Sequence, residues 1–490
     1  MLLCYQGGIG NRGQCVRKVD AEYHEAILPE YRGNPFIEAL PPKLGAEDLL
    51  EKFSNYVDLD EHIRDNPDPL IREEYTIRLK QLRQPFFIYY ECFRAIETAI
   101  KDGYSRKNPF SPTTSQFLHY PVDKPPEVAP SSGFFVPKAE TITIIGESGV
   151  GKTCMLEQIL NYLPHVIKHD VYHGQKLEYT KQVVWVKVEC SRNSSVRELC
   201  EDIIFSLDLA MNQPKEPLAA TISGLLWQIE QRIKSSFLGV LVIDEMQRLE
   251  LKKTGGENNL LNFLHKLVNK LGVPLVFCAN PPFDKTLSKQ LKAARRAESA
   301  GYFEFEPLTR ESGEWDVFIG ELWEIQWTKV YNELTPELSD KMYKLSLGNL
   351  DIAHRIYREA QRMVILDPLA DERITPAVLD IAYARACKLS RNTPEIQTLR
   401  ESVSLPTGNR NQNSPKELEL SAPTRTPIAD VTRPQHPEFE SSIVELLGAV
   451  DLPDRIANPC LFQDIAEQDE GFSLLKGTNT VLDDPLGELK

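Results

Sequence analysis

Thr141-Ile142-Thr143-Ile144-Ile145-Gly146 runs without a break into Glu147-Ser148-Gly149-Val150-Gly151-Lys152-Thr153 and then into Cys154-Met155-Leu156-Glu157-Gln158-Ile159-Leu160. An apolar run of strand length, a loop of the form G-x-x-x-x-G-K-T and a helix-compatible stretch follow one another in the order a phosphate-binding loop requires. Glycines let backbone N–H groups curl around phosphates with no Cβ in the way. The residues expected to line the nucleotide are Gly146, Ser148, Gly149, Val150, Gly151, Lys152, Thr153 and Cys154. Lys152 would sit against the β- and γ-phosphates, and the Thr153 hydroxyl would ligate Mg2+. The cofactors read from this loop are ATP and Mg2+.

Further along, Gly239-Val240-Leu241-Val242-Ile243-Asp244-Glu245 is an apolar strand ending in two carboxylates. In parallel sheets that edge is where ligands bind. Asp244 would hold Mg2+ through its water shell, and Glu245 would polarise the attacking water. The next apolar run, Val273–Ala279, ends in Asn280, placed to reach the γ-phosphate as a sensor 1 residue. Asn280-Pro281-Pro282 is also ordinary turn chemistry. Arg295 and Arg296 close the basic stretch 285–296. A guanidinium there could enter a neighbouring subunit's nucleotide and neutralise transition-state charge. Arg355, one turn into the helix opened by Gly348-Asn349, is the candidate sensor 2.

Short apolar runs alternate with amphipathic stretches across 131–308: TITIIG, QVVWVKVEC, LGVLVIDE, VPLVFCAN and YFEFEPL. That alternation predicts an α/β unit with a parallel sheet covered on both faces. Residues 309–390 carry only helical patterns, at about 311–328, 335–346, 349–363 and 374–388, and predict an all-helical lid. Before the sheet, 1–130 is a mostly helical extension with helix-like segments at 45–56, 70–83 and 87–102. After the lid, 391–435 has linker composition, and 436–490 is an acidic tail with short apolar clusters such as Ile443–Leu447.

The chain has 490 residues and a net charge of −15, which argues against a protein that coats nucleic acid by bulk charge. The tail alone holds 12 acidic and 3 basic residues, leaving the first 435 with only −6. A local basic surface is therefore compatible with the composition. Arg192, Arg197, Lys252 and Lys253 are the candidate contacts to a DNA backbone, and each also reads as a solvated charge. Nine cysteines with no Cys-x-x-Cys pair suit reduced thiols. With no basic-then-apolar start and no long apolar run, a cytoplasmic location is expected. His165, His169 and His173 lie between Pro164 and Gly174, which predicts a loop, and no metal site is expected there. Trp315, Trp323 and Trp327 are expected to pack in the lid core.

Together the ATP-binding residues describe an AAA+ ATPase with a five-stranded parallel sheet and a helical lid. Its site is completed between subunits, so a homo-oligomer is expected, as a ring or a helical filament. Tyr31-Arg32-Gly33-Asn34-Pro35-Phe36-Ile37-Glu38-Ala39-Leu40-Pro41-Pro42 resembles the opening of the TnsC family, the regulatory ATPases of heteromeric transposons. Gly103-Tyr104-Ser105-Arg106-Lys107-Asn108-Pro109 is similar to a second segment of that family, and further similarity runs through roughly 30–390. Ala279-Asn280 stands where the family often has Gly-Thr.

The resemblance implies a regulator that oligomerises on target duplex DNA when ATP is bound and contacts the backbone without reading sequence. It would be recruited by a TniQ/TnsD-like target selector or a CRISPR effector and would activate the transposase subunits. ATP hydrolysis would take the assembly apart. The acidic tail is a candidate dock for the transposase. Two other readings share the ATP motifs: a helicase-loader or clamp-loader type AAA+ remodeller, and a signalling NTPase that does not act on DNA.

Overall fold

The computed structural model describes residues 16–120, 133–137, 139–191, 195–249, 267–268, 271–281, 283 and 299–388. The N-terminal part contributes a short strand, β1 (Lys18–Asp20), and helices α1 (Pro35–Glu38), α2 (Ala46–Phe53), α3 (Glu61–Arg64), α4 (Pro69–Tyr75), α5 (Phe87–Ser105) and α6 (Pro112–His119). The α/β part follows as β2 (Thr141–Gly146), α7 (Lys152–Tyr162), β3 (Val166–Tyr172), β4 (Gln175–Val183), β5 (Trp185–Glu189), α8 (Val196–Met211), α9 (Ile222–Ser236), β6 (Val240–Asp244), β7 (Leu275–Ala279) and β8 (Gly301–Phe305). Four helices close the described chain: α10 (Glu314–Glu324), α11 (Pro336–Ser346), α12 (Leu350–Leu366) and α13 (Pro376–Ala386).

Strands β5-β6-β7-β2-β8 form one sheet in that order, and every neighbouring pair is parallel. Alternate residues of each strand feed two separate cores, as the pleat demands. Ile142, Ile144, Val240, Val242, Val276 and Cys278 point to one face, where they join Cys92, Ile96, Ala99 and Ile100 of α5. Leu241, Ile243, Leu275 and Phe277 point to the other, against Leu199, Ile203 and Leu207 of α8 and Ile229 and Ile233 of α9. A helix of the N-terminal extension thus covers part of one sheet face. Gly146 ends β2 because a Cβ there would lie 2.4 Å from the Phe305 carbonyl oxygen on β8.

A second sheet, β1-β3-β4, departs from the sequence reading. Residues 165–174 form most of an antiparallel hairpin with β4, and β1 adds to it in parallel. The run read as one strand over 182–190 is divided at Val184. Gln182 and Val183 pair with β3, Val184 N–H donates to the His165 carbonyl at 2.9 Å, and Trp185 starts pairing with β6. His169 is buried between the Tyr23 hydroxyl and the Gln182 side chain, each 2.9 Å from a ring nitrogen. Among the described residues no cluster of His, Cys, Asp and Glu could hold a metal ion.

The two segments that carry the family resemblance meet in space. Gly33 adopts φ +74°, and Asn34 caps α1 by accepting from Phe36 N–H at 3.1 Å. The Asn34 amide donates to the Tyr104 carbonyl at 2.8 Å, and Asn108 Nδ2 donates to the Gly33 carbonyl at 3.0 Å. Phe36 is fully buried, and buried Glu38 accepts from Gly33 N–H and from the Tyr172 hydroxyl. Tyr104 drives its hydroxyl onto the Phe237 carbonyl at 3.0 Å, in space left by Gly239, whose Cβ would come within 2.6 Å of it. Lys107 Nζ donates to the Gly272 carbonyl at 2.6 Å. These residues therefore have a structural task, clamping the extension to the entry edge of the sheet.

The lid is likewise tied to the extension. The run read as one helix over 70–83 is α4 followed by a tighter 3-10 turn, Thr76–Gln81. From α4, Arg72 makes a bidentate pair with Glu372 at 2.5 and 2.7 Å and donates to the Trp327 carbonyl at 3.2 Å. Trp315, Trp323 and Trp327 are buried in the lid core, as expected.

Candidate active site

The loop after β2 has the backbone its sequence requires. Gly149 and Gly151 take φ of +87° and +101°, where a side chain is strained, and Gly151 caps α7 so that Lys152 is its first residue. The helix N-terminus and its unpaired N–H groups favour an anion at this place. Lys152 Nζ donates to the Gly146 and Glu147 carbonyls at 2.6 and 2.7 Å. Burial pulls the Lys152 ammonium below its ordinary range, while nearby Glu245, Asp244 and Glu147 oppose that shift. A bound phosphate would replace the carbonyls as its partner.

Asp244 ends β6 directly beside this loop. The Thr153 hydroxyl donates to Asp244 Oδ2 at 3.4 Å, and the Glu245 N–H donates to Oδ1 at 2.9 Å. A hydroxyl and a carboxylate converging next to a phosphate site are the donors a hard divalent cation takes. Thr153 and Asp244 thus fit Mg2+, which when bound would neutralise phosphate charge. Burial pushes the Cys278 thiol of β7 well above the ordinary range, and the charge of nearby Asp244 adds to that shift. Cys154 is raised to about 11, again chiefly by burial, so it is a poor nucleophile at neutral pH.

Glu245 holds φ +58°, an uncommon conformation for a side-chain-bearing residue. Its Oε2 accepts from Gln247 Nε2 at 2.7 Å and pairs with Arg248 Nε at 2.9 Å. Gln247 Oε1 in turn accepts from Asn280 N–H at 3.0 Å. The Asn280 backbone is therefore wired to the Glu245 carboxylate through one side chain. Gln247 and Arg248 were not picked out by sequence, because a polar residue after a strand reads as turn chemistry.

Over the loop lies the start of α12. Asn349 Nδ2 donates to the Ser148 carbonyl at 2.9 Å, and Asp351 N–H donates to the Gly149 carbonyl at 3.1 Å. A Cβ on Gly149 would stand 2.6 Å from Asn349 Oδ1. Asn349 is thus a lid side chain hydrogen-bonded to the loop, with Leu350 and Asp351 packed beside its glycines. Arg355, one turn further, bonds Asp351 and the Ala386 carbonyl. From the extension, the Tyr89 hydroxyl reaches Gly151.

Arg197 spends its guanidinium on Glu201 and on the Ala219 and Ala220 carbonyls. Arg192, Lys252, Lys253, Arg295 and Arg296 lie outside the described residues, as do the linker 391–435 and the tail 436–490. No described helix is long and apolar enough to cross a membrane.

Residues 138–287 match the family model described as "AAA domain". Among curated proteins nothing matches this chain. It is similar to the crystal structure of Cdc6p from Pyrobaculum aerophilum, at 13% identity and a TM-score of 0.36 over 52% of this chain and 65% of that one. It is also similar to the Aeropyrum pernix ORC2 protein in its ADP form, at 13% identity and TM-score 0.33, again over 52% and 65%. A third likeness is to domain III of the Thermotoga maritima replication initiation protein DnaA, at 16% identity and TM-score 0.32 over 51% and 85%. The chain thus spans about 65% of the length of the first two structures. The sheet order, the phosphate loop and the lid give this protein the fold of an AAA+ P-loop NTPase. An AAA+ domain of this kind implies ATP hydrolysis.

Proposed function

We propose that the protein is an ATP-driven AAA+ switch that assembles on duplex DNA and links a target selector to a transposase. Thr153 and Asp244 hold Mg2+, Lys152 holds the phosphates, and Glu245 orients the attacking water. Asn280 senses the γ-phosphate, Arg355 reports it to the lid, and Arg295 and Arg296 complete a neighbour's site. The observation that carries the DNA-transposition reading is the clamp between 31–42 and 103–109. These segments are the specific part of the resemblance to TnsC, and they form one interface around Asn34 and Tyr104. In this reading ATP drives oligomerisation as a ring or filament, hydrolysis reverses it, and 436–490 docks the transposase. Multivalency offsets the weak DNA affinity of a monomer with a net charge of −15.

A second reading is an initiator or loader type of remodeller; among the named structures, Cdc6p, ORC2 and DnaA, the last is a replication initiation protein. At those TM-scores they lend no weight to a particular activity, and the clamp segments are what the transposition reading adds.

Electron microscopy of the chain with duplex DNA under ATP, ADP or no nucleotide tests the proposal. Assemblies on DNA that require ATP, and that persist in Glu245→Gln, are expected. Particles that ignore DNA under every nucleotide would sink it in favour of a signalling NTPase. Capture of a transposase through 436–490 supports the first reading, and loading of a partner ring onto DNA supports the second.

A further inference from the structure

A lysine interrupts the apolar run from Val183 to Val188 in the middle of β5, a strand whose residues on either side of it, Val186 and Val188, are buried. Lys187 is only 12% exposed, and its Nζ lies 3.0 Å from Oδ2 of Asp244, whose side chain is 3% exposed. An ammonium taken this far out of water needs a matched anion. The anion it has found is the carboxylate that fits Mg2+. Oδ2, the oxygen that faces Lys187, is also the one that accepts the Thr153 hydroxyl. Oδ1 is already engaged by the Glu245 N–H. The ammonium and the metal therefore call on one edge of one carboxylate, and two cations there repel each other strongly in a partly dry site.

We propose that Lys187 is a resident counter-cation that competes with Mg2+ for Asp244. Free metal ions are turned away from the empty site. Metal enters with the nucleotide, whose phosphates add the negative charge that lets both cations stay. Asp244 is kept paired while the site is empty, so no lone carboxylate is left buried. The inference rests on the phosphate loop being a nucleotide site, and on no feature of DNA binding or transposition.

The test uses the full chain and measures Mn2+ binding by electron paramagnetic resonance, without nucleotide and with ATP. Affinity for a fluorescent ATP analogue in EDTA and a thermal melt serve as controls. Lys187→Met removes the charge at similar length, and Lys187→Arg keeps it. Lys187→Met is expected to bind free Mn2+ at least about tenfold more tightly than the wild type. The gap should narrow when ATP is present, and Lys187→Arg should behave as the wild type. If Lys187→Met does not fold, Lys187→Gln carries the same measurement. Free Mn2+ affinity that is unchanged or weaker in a neutral variant, with nucleotide affinity in EDTA intact, overturns the competition. A wild type that binds no nucleotide in EDTA or in Mg2+ overturns the nucleotide-site reading instead, and the inference with it.

Discussion

Gln247 shows how one side chain can tie two parts of the candidate site together. Its amide joins Asn280 N–H on one side to Glu245 on the other, and Glu245 is held at positive φ beside it. Gln247→Ala would leave the carboxylate to Arg248 alone. We expect kcat for ATP hydrolysis to fall about tenfold with nucleotide affinity nearly unchanged, the pattern of a group that acts in the transition state only. Steady-state phosphate release beside equilibrium binding checks this, and an equal loss in both would assign Gln247 to folding. Glu245→Gln is expected to abolish release while ATP remains bound. The loop glycines, Lys152, Thr153, Asp244 and Glu245 were legible from spacing, because a phosphate loop is a local device. Lys187, Gln247 and Asn349 were not, since each becomes a site residue only when a distant element is laid against it.

Among the elements, the segment 33–38 binds the extension to the sheet. Phe36 has no exposed surface, and Asn34 serves both as helix cap and as donor to Tyr104. Phe36→Ala should lower stability by about 3–5 kcal/mol through lost burial and the cavity left behind. Asn34→Ala should cost about 1–2 kcal/mol by removing a cap and a buried hydrogen bond. Urea unfolding followed by tryptophan fluorescence measures both, and a neutral Phe36→Ala would mean that the clamp contributes nothing to the fold. At the other end, Arg72→Met would leave Glu372 buried without its partner, and a loss of about 3–5 kcal/mol is expected. Helical spacing placed α5, α11 and α13 closely. The hairpin of β3 and β4 escaped because Pro164 and Gly174 look like loop punctuation, and its pairing with β1 joins residues far apart in the chain.

For the whole molecule, acid is the condition that tests the packing. Burial holds His354 of α12 and His165 before β3 down at about 4, against 6.5 for a free imidazole, and nearby arginines lower both further. Between pH 6.5 and 4 the unfolded chain binds protons that the folded chain refuses, so stability falls as pH drops through that window. Melting temperature should be level above about pH 7 and decline below about 6, and His354→Gln should flatten part of the decline. A melting temperature that rises on acidification to pH 5 would contradict the burial of these rings. The sequence by itself determined the five strands of the parallel sheet, the lid helices, the phosphate loop and the carboxylates after β6, because these depend on residue type and short spacing. Only the tertiary structure decided that an N-terminal helix covers the sheet, that Arg72 ties the extension to the lid and that Lys187 faces Asp244. Those contacts join residues tens to hundreds of positions apart, and no local pattern of hydrophobicity or charge encodes which distant partner a side chain will meet.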